Sequence, residues 1–61
     1  MPLIRVDILE GGPEATKKEL IERLTETLSD VMGTPPGATS VILQEHAKDN
    51  WAIGGVRYSD K

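Results

Sequence analysis

Residues 13–33 read "PEATKKELIERLTETLSDVMG", and this stretch decides how its neighbours connect. Leu20, Ile21, Leu24, Leu28, Val31 and Met32 recur every three or four residues and make one apolar stripe of an amphipathic helix. Glu14–Lys18 and Glu19–Arg23 set opposite charges four apart, as neighbours on a helix surface. Gly12 and Pro13 open the helix, with Pro13 expected at the first helical position, where its missing N–H costs nothing. Glu14 in the first turn suits the helix dipole. Gly33 is a natural C-terminal cap, and "TPPG" at 34–37 forbids continuation.

Each flank of the helix reads as a strand. In "PLIRVDIL", residues 2–9, Pro2, Ile4, Val6 and Ile8 point one way and Leu3, Arg5, Asp7 and Leu9 the other. In "TSVILQEH", residues 39–46, Val41 and Leu43 point one way and Ile42 the other, flanked by Ser40 and Gln44. Two strands joined by a helical crossover form a parallel pair, with a right-handed connection. The end of the chain, "WAIGGVRYSDK" at 51–61, reads as a short hairpin turning at Gly54–Gly55. A phosphate cradle at those glycines lacks the following helix that such a site needs. The fold class is therefore α+β, a β-α-β unit with a short C-terminal hairpin. One helix covers one face of the sheet, yet both strands carry apolar residues on both faces. The open face and the edges need partners, and several copies are expected to join sheet to sheet across a two-fold axis.

Composition narrows the function. The chain of 61 residues is read as one domain, 1–61. A domain this small is marginal alone and is usually stabilised by disulfides, a metal or oligomerisation. There is no cysteine and a single histidine, His46, so neither a disulfide framework nor a cysteine- or histidine-rich metal site is expected. Oligomerisation is the remedy left. Seven cations are scattered among ten carboxylates for a net charge of −3, unlike the basic stripe of a nucleic-acid binder. No segment has the pattern of a leader peptide or the apolar length of a membrane span, and a soluble cytoplasmic protein is expected. One residue raises a chemical question. Proline at position 2 does little harm at the start of a strand, but with Met1 removed it becomes a secondary amine at the end of a rigid element.

Four features in order resemble the 4-oxalocrotonate tautomerase family: proline at position 2, "ILEG" closing the first strand, the single helix, and "NWAIGG" after the second strand. The resemblance covers about residues 2–59. It implies a β-α-β subunit, a pair of subunits sharing a four-stranded sheet backed by two helices, and three such pairs in a homohexamer. It also implies a cofactor-free isomerase. Pro2 would be the catalytic base, moving a proton between the carbons of an enol or unsaturated keto acid. The chemistry is physically reasonable. An α-amino group titrates near 7.7–8.0 in peptides, roughly, a secondary amine is more basic, and apolar burial lowers the value by disfavouring the charged form. A neutral amine near pH 7 is an effective general base. Removal of Met1 is a precondition, because the nitrogen is otherwise an amide.

The sequence departs from that family at the substrate carboxylates. The family's two arginines, which hold a dicarboxylate, fall on Gly12 and Ser40 here, and its aromatic pocket wall falls on Trp51. Two lost charge-assisted hydrogen bonds of about 1.5–3 kcal/mol each amount to roughly 10²–10⁴-fold in kcat/KM. Poor activity on 2-hydroxymuconate is expected, and a monocarboxylate enol such as phenylenolpyruvate suits the site better. Candidate substrate-binding residues are Trp51, Ser40 and Arg57. Arg57 is otherwise a solvated or interfacial cation, Ser40 a structural strand residue, and Trp51 a packing anchor. Arg5 is expected to point away and pair with Asp7 or a neighbour, and His46 to be a surface or interface residue with no metal site around it. Two other readings stay open. One is a catalytically weak binding or assembly module on the same scaffold; the other is a different reaction of the Pro2 amine, such as hydration, dehalogenation or iminium formation.

Overall fold

A computed structural model describes residues 2–61. Its elements are β1 (Leu3–Leu9), α1 (Glu14–Met32), β2 (Ser40–His46), β3 (Ala52–Ile53) and β4 (Val56–Arg57), with single 3₁₀ turns at Pro36–Ala38, Lys48–Asn50 and Tyr58–Asp60. β1 and β2 pair in parallel from Leu3↔Ser40 to Leu9↔His46, as a helical crossover requires, and β3 and β4 form the antiparallel hairpin. Gly54 and Gly55 both have positive φ, 62° and 85°, which a two-residue hairpin turn that follows the strand twist demands.

The expected helix occupies Glu14–Met32, with three local corrections. Pro13 is the N-cap, not the first helical residue: its ψ of 148° keeps it extended, while its carbonyl accepts the Lys17 N–H at 3.2 Å. Glu14 pairs with Lys17 at 2.7 Å and not with Lys18, because Lys17 leans over the sheet and also bonds Glu45 of β2 at 2.6 Å. The second carboxylate selects the lysine nearer the sheet and ties the start of α1 to β2. Glu19–Arg23 forms as expected, at 3.3 Å. Gly33 closes the helix with φ 72°, its N–H donating to Ser29 O at 2.9 Å. The second strand begins at Ser40, one residue later than the pattern 39–46, since Thr39 N–H is taken by the carbonyl of Pro36.

α1 lies over one face of the sheet. Ile4 borders a hollow there with Leu24 and Leu28, and Leu43 borders another with Ile21 and Lys17. The other face is open: Leu3 is 56% and Ile42 41% exposed. The far end of the apolar stripe is open too, with Val31 and Met32 well exposed. No described residue is fully buried. The chain exposes 4582 Å², whereas a compact monomer of this length exposes about 3,900 Å². Its radius of gyration, 14.5 Å, exceeds the roughly 10–11 Å of a compact domain. A single chain thus has secondary structure but no closed core.

Candidate active site

Pro2 stands at the entrance of β1. Its carbonyl accepts the Ser40 N–H at 2.9 Å, so the backbone on either side of the ladder's first rung is held. Pro2 is half-buried, and an apolar hollow of about 280 Å³ opens two residues along, lined by Ile4, Leu24, Thr27, Leu28, Val31 and Met32. Two further hollows lie along α1, of about 340 and 420 Å³, and neither Pro2 nor Trp51 lines any of the three. The expectation about Met1 lies outside the described residues.

Of the other candidates, the structure brings only Ser40 to Pro2. Trp51 follows the 3₁₀ turn at the opposite end of β2, where its ring meets His46 edge-on with centroids 5.7 Å apart. Six residue steps of β2 separate Ser40 from His46, about 20 Å at 3.3 Å per residue. Pro2 and Trp51 therefore cannot line one pocket within one chain. Arg57 is also at that far end, in β4, and its guanidinium is engaged with Asp60, Nε to Oδ2 at 3.0 Å. Asp7 is not the partner of Arg5: it accepts from His46 Nε2 at 2.8 Å. The parallel register explains the change, since Asp7 and His46 project from the same face of adjacent strands. This pairing was not legible in the sequence, where the two residues are 39 positions apart.

Gly12, where an arginine of the resembled family would stand, has open space around it, with nothing within 4 Å of an added Cβ. Its substitution removes a charge without filling a gap. At Ser40 the ladder's first N–H is used and the position is exposed. Both sites can hold a longer side chain, and neither offers a cation.

A parallel β1-β2 pair, a helical crossover and a short terminal hairpin define the tautomerase fold, and the match extends over the whole described chain: the family model for tautomerase enzymes covers residues 2–61. The chain belongs to the tautomerase family. It is an isomerase of the 4-oxalocrotonate tautomerase type. A "Probable tautomerase" of Bacillus cereus is 41% identical over the full length of both chains. The 2-hydroxymuconate tautomerase of Pseudomonas putida is 39% identical, over 92% of this chain and 89% of that one. Among solved structures, a 4-oxalocrotonate tautomerase homologue superposes with a TM-score of 0.95 at 48% identity, covering 100% of this chain and 97% of the other. A heterohexameric 4-oxalocrotonate tautomerase from Chloroflexus aurantiacus superposes at 0.94 with 28% identity, covering 98% and 97%. Among the described residues, no helix is long and apolar enough to cross a membrane.

Proposed function

We propose that the protein is a cofactor-free tautomerase in which Pro2, freed by removal of Met1, is the general base acting on an enol or unsaturated 2-keto acid. One observation carries the reading: half-buried Pro2 directly precedes β1 with its carbonyl pinned by the Ser40 N–H, and an apolar hollow opens at Ile4, two residues along. The strand aims the amine, and apolar surroundings disfavour its charged form. Proton transfer then needs no metal or cofactor, because the amine cycles between its neutral and charged forms as a proton leaves or returns to the substrate carbon.

The pocket is completed between chains. Trp51 walls the site of a neighbouring chain's Pro2, because the roughly 20 Å length of β2 keeps the two apart within one chain. The missing core and the open sheet face support the same arrangement, a homohexamer built as three pairs. Ser40 lies beside Pro2 and borders the substrate. Arg57 borders it only if Asp60 releases the guanidinium. Without cations at positions 12 and 40, the site favours a monocarboxylate enol such as phenylenolpyruvate over the dicarboxylate 2-hydroxymuconate. The same vacant positions favour the second reading, an assembly module of weak activity.

The test is the intact mass of untagged protein together with turnover of both substrates by wild type and Pro2→Ala. Loss of the methionine mass and turnover that depends on Pro2 support the tautomerase. Retained Met1, or turnover indifferent to Pro2→Ala, overturns the base assignment and leaves the assembly module.

A further inference from the structure

Three side chains lock together at the end of the sheet away from Pro2. Asp7 comes from β1, His46 is the last residue of β2, and Trp51 follows the next turn. The His46 Nε2–H donates to Asp7 Oδ1 at 2.8 Å, and the imidazole meets Trp51 edge-on at 5.7 Å with 78° between the ring planes. The pair is 31% and 52% exposed, and ion pairs so placed contribute little to stability. Its geometry has a chemical consequence instead. With Nε2–H committed to the carboxylate, the neutral ring presents Nδ1 as an acceptor in a fixed direction. The contact with Trp51 sets that ring on the same wall as the proposed aromatic. Gly12 and Ser40 bring no cation to the substrate, and His46 is the titratable group seated against Trp51.

We propose that His46, oriented by Asp7, is the acid–base partner at the substrate oxygen, opposite the Pro2 of a neighbouring chain. The inference rests on the assignment of Pro2 and Trp51 made above. In ketonisation of an enol, Nδ1 accepts the hydroxyl proton while the C=C electron pair takes a proton from the Pro2 ammonium, and the C–O bond becomes a carbonyl. The imidazolium then donates a hydrogen bond to that carbonyl oxygen. Pro2 ends neutral and His46 protonated, and each resets by exchanging one proton with water. The reverse reaction uses the same groups with roles exchanged. Asp7 touches no substrate and is a positioning residue.

The experiment is subunit complementation. His46→Gln is expected to lower kcat about 100-fold or more with KM within about 2-fold, the range of a lost general acid–base group. Asp7→Asn is expected to lower kcat about 10-fold, because an amide no longer holds the imidazole in one tautomer. Pro2→Ala and His46→Gln chains are then unfolded together, refolded at equal amounts, and checked for mixed oligomers by native mass spectrometry. Random mixing rebuilds about a quarter of the sites with both wild-type groups, each from a different chain. Activity should rise from near zero to about that fraction of wild type. Wild-type kcat in His46→Gln overturns the inference, as does an inactive mixture whose mixed oligomers have formed. Should His46→Gln fail to assemble, Asp7→Asn carries the test, and full kcat in that variant overturns it. Turnover that survives Pro2→Ala removes the base reading, whereas turnover lost with Pro2 but kept with His46→Gln removes this inference alone.

Discussion

Removing Leu3 and Ile42 together should uncouple assembly from secondary structure. Both project from the sheet face that α1 leaves open, at 56% and 41% exposure, and their strands are paired so that Leu3 sits opposite Ser40 and Arg5 opposite Ile42. Leu→Ala or Ile→Ala in a fully covered site costs about 2–5 kcal/mol. Only the part of each side chain that a neighbouring chain still has to cover belongs to assembly. For Leu3 that is about half, or roughly 1–3 kcal/mol; for Ile42 it is roughly 1–2 kcal/mol. The double variant Leu3→Ala/Ile42→Ala therefore loses about 2–5 kcal/mol per chain, or about 30- to 5,000-fold in the association constant at each chain's contact. Sedimentation velocity over a dilution series reads this directly. The variant should dissociate at concentrations where wild type stays assembled. Its urea midpoint should also be lower than that of wild type at each protein concentration, because a chain without a closed core is stable only when associated. An unchanged dissociation range in the double variant would refute the reasoning, by showing that the open face is not the surface that neighbouring chains cover.

The remaining predictions concern activity, pH and the hairpin. Restoring arginines with Gly12→Arg and Ser40→Arg should raise kcat/KM on 2-hydroxymuconate by about 10²–10⁴-fold relative to phenylenolpyruvate; the space around Gly12 admits the side chain, and steady-state kinetics on both substrates reads the ratio. Hydrogen bonds from Lys17 to Glu14 and then to Glu45 raise its pKa above the usual ammonium value. The stabilisation from those contacts is fully present below the unfolded value, about 10.4, and is lost as pH rises through the higher folded value. Urea midpoints measured from pH 9 upward should fall for wild type, and Lys17→Met should show a lower midpoint at pH 9 and a shallower fall. Gly55→Val places a β-branched residue at φ 85° and should destabilise the hairpin by about 1–3 kcal/mol, lowering the thermal midpoint while the helical circular-dichroism signal below that midpoint is kept.

Much of the fold is legible because its signals are local. The helix declares itself through a 3.6-residue stripe and a glycine at φ 72°, a conformation that other residues enter at a cost. The strands alternate, and a helix between them leaves parallel pairing as the short solution. The small misreadings are also instructive. Pro13 at the first helical position and Lys18 as the partner of Glu14 both give way because the helix start is set by what lies across from it: Glu45 draws Lys17 toward the sheet, and a proline with ψ of 148° ends the extended segment and does not begin the helix.

The site divides along the same line. Pro2 stands out from residue type and position, since a proline behind the initiator methionine has one unusual chemical use, and the vacant arginine positions are visible in the order of residues alone. The Asp7–His46–Trp51 cluster is not, because its members meet only when the parallel register brings β1 and β2 side by side and the turn at 48–50 folds Trp51 back. Nor does the linear order reveal that Ser40 is Pro2's neighbour while Trp51 and Arg57 stand a strand's length away. Side-chain periodicity is set by each residue's own backbone and can be read one element at a time. Proximity between elements is set by register and chain reversal, and for this protein it sets Ser40 beside Pro2 and Trp51 against His46 at the other end of β2.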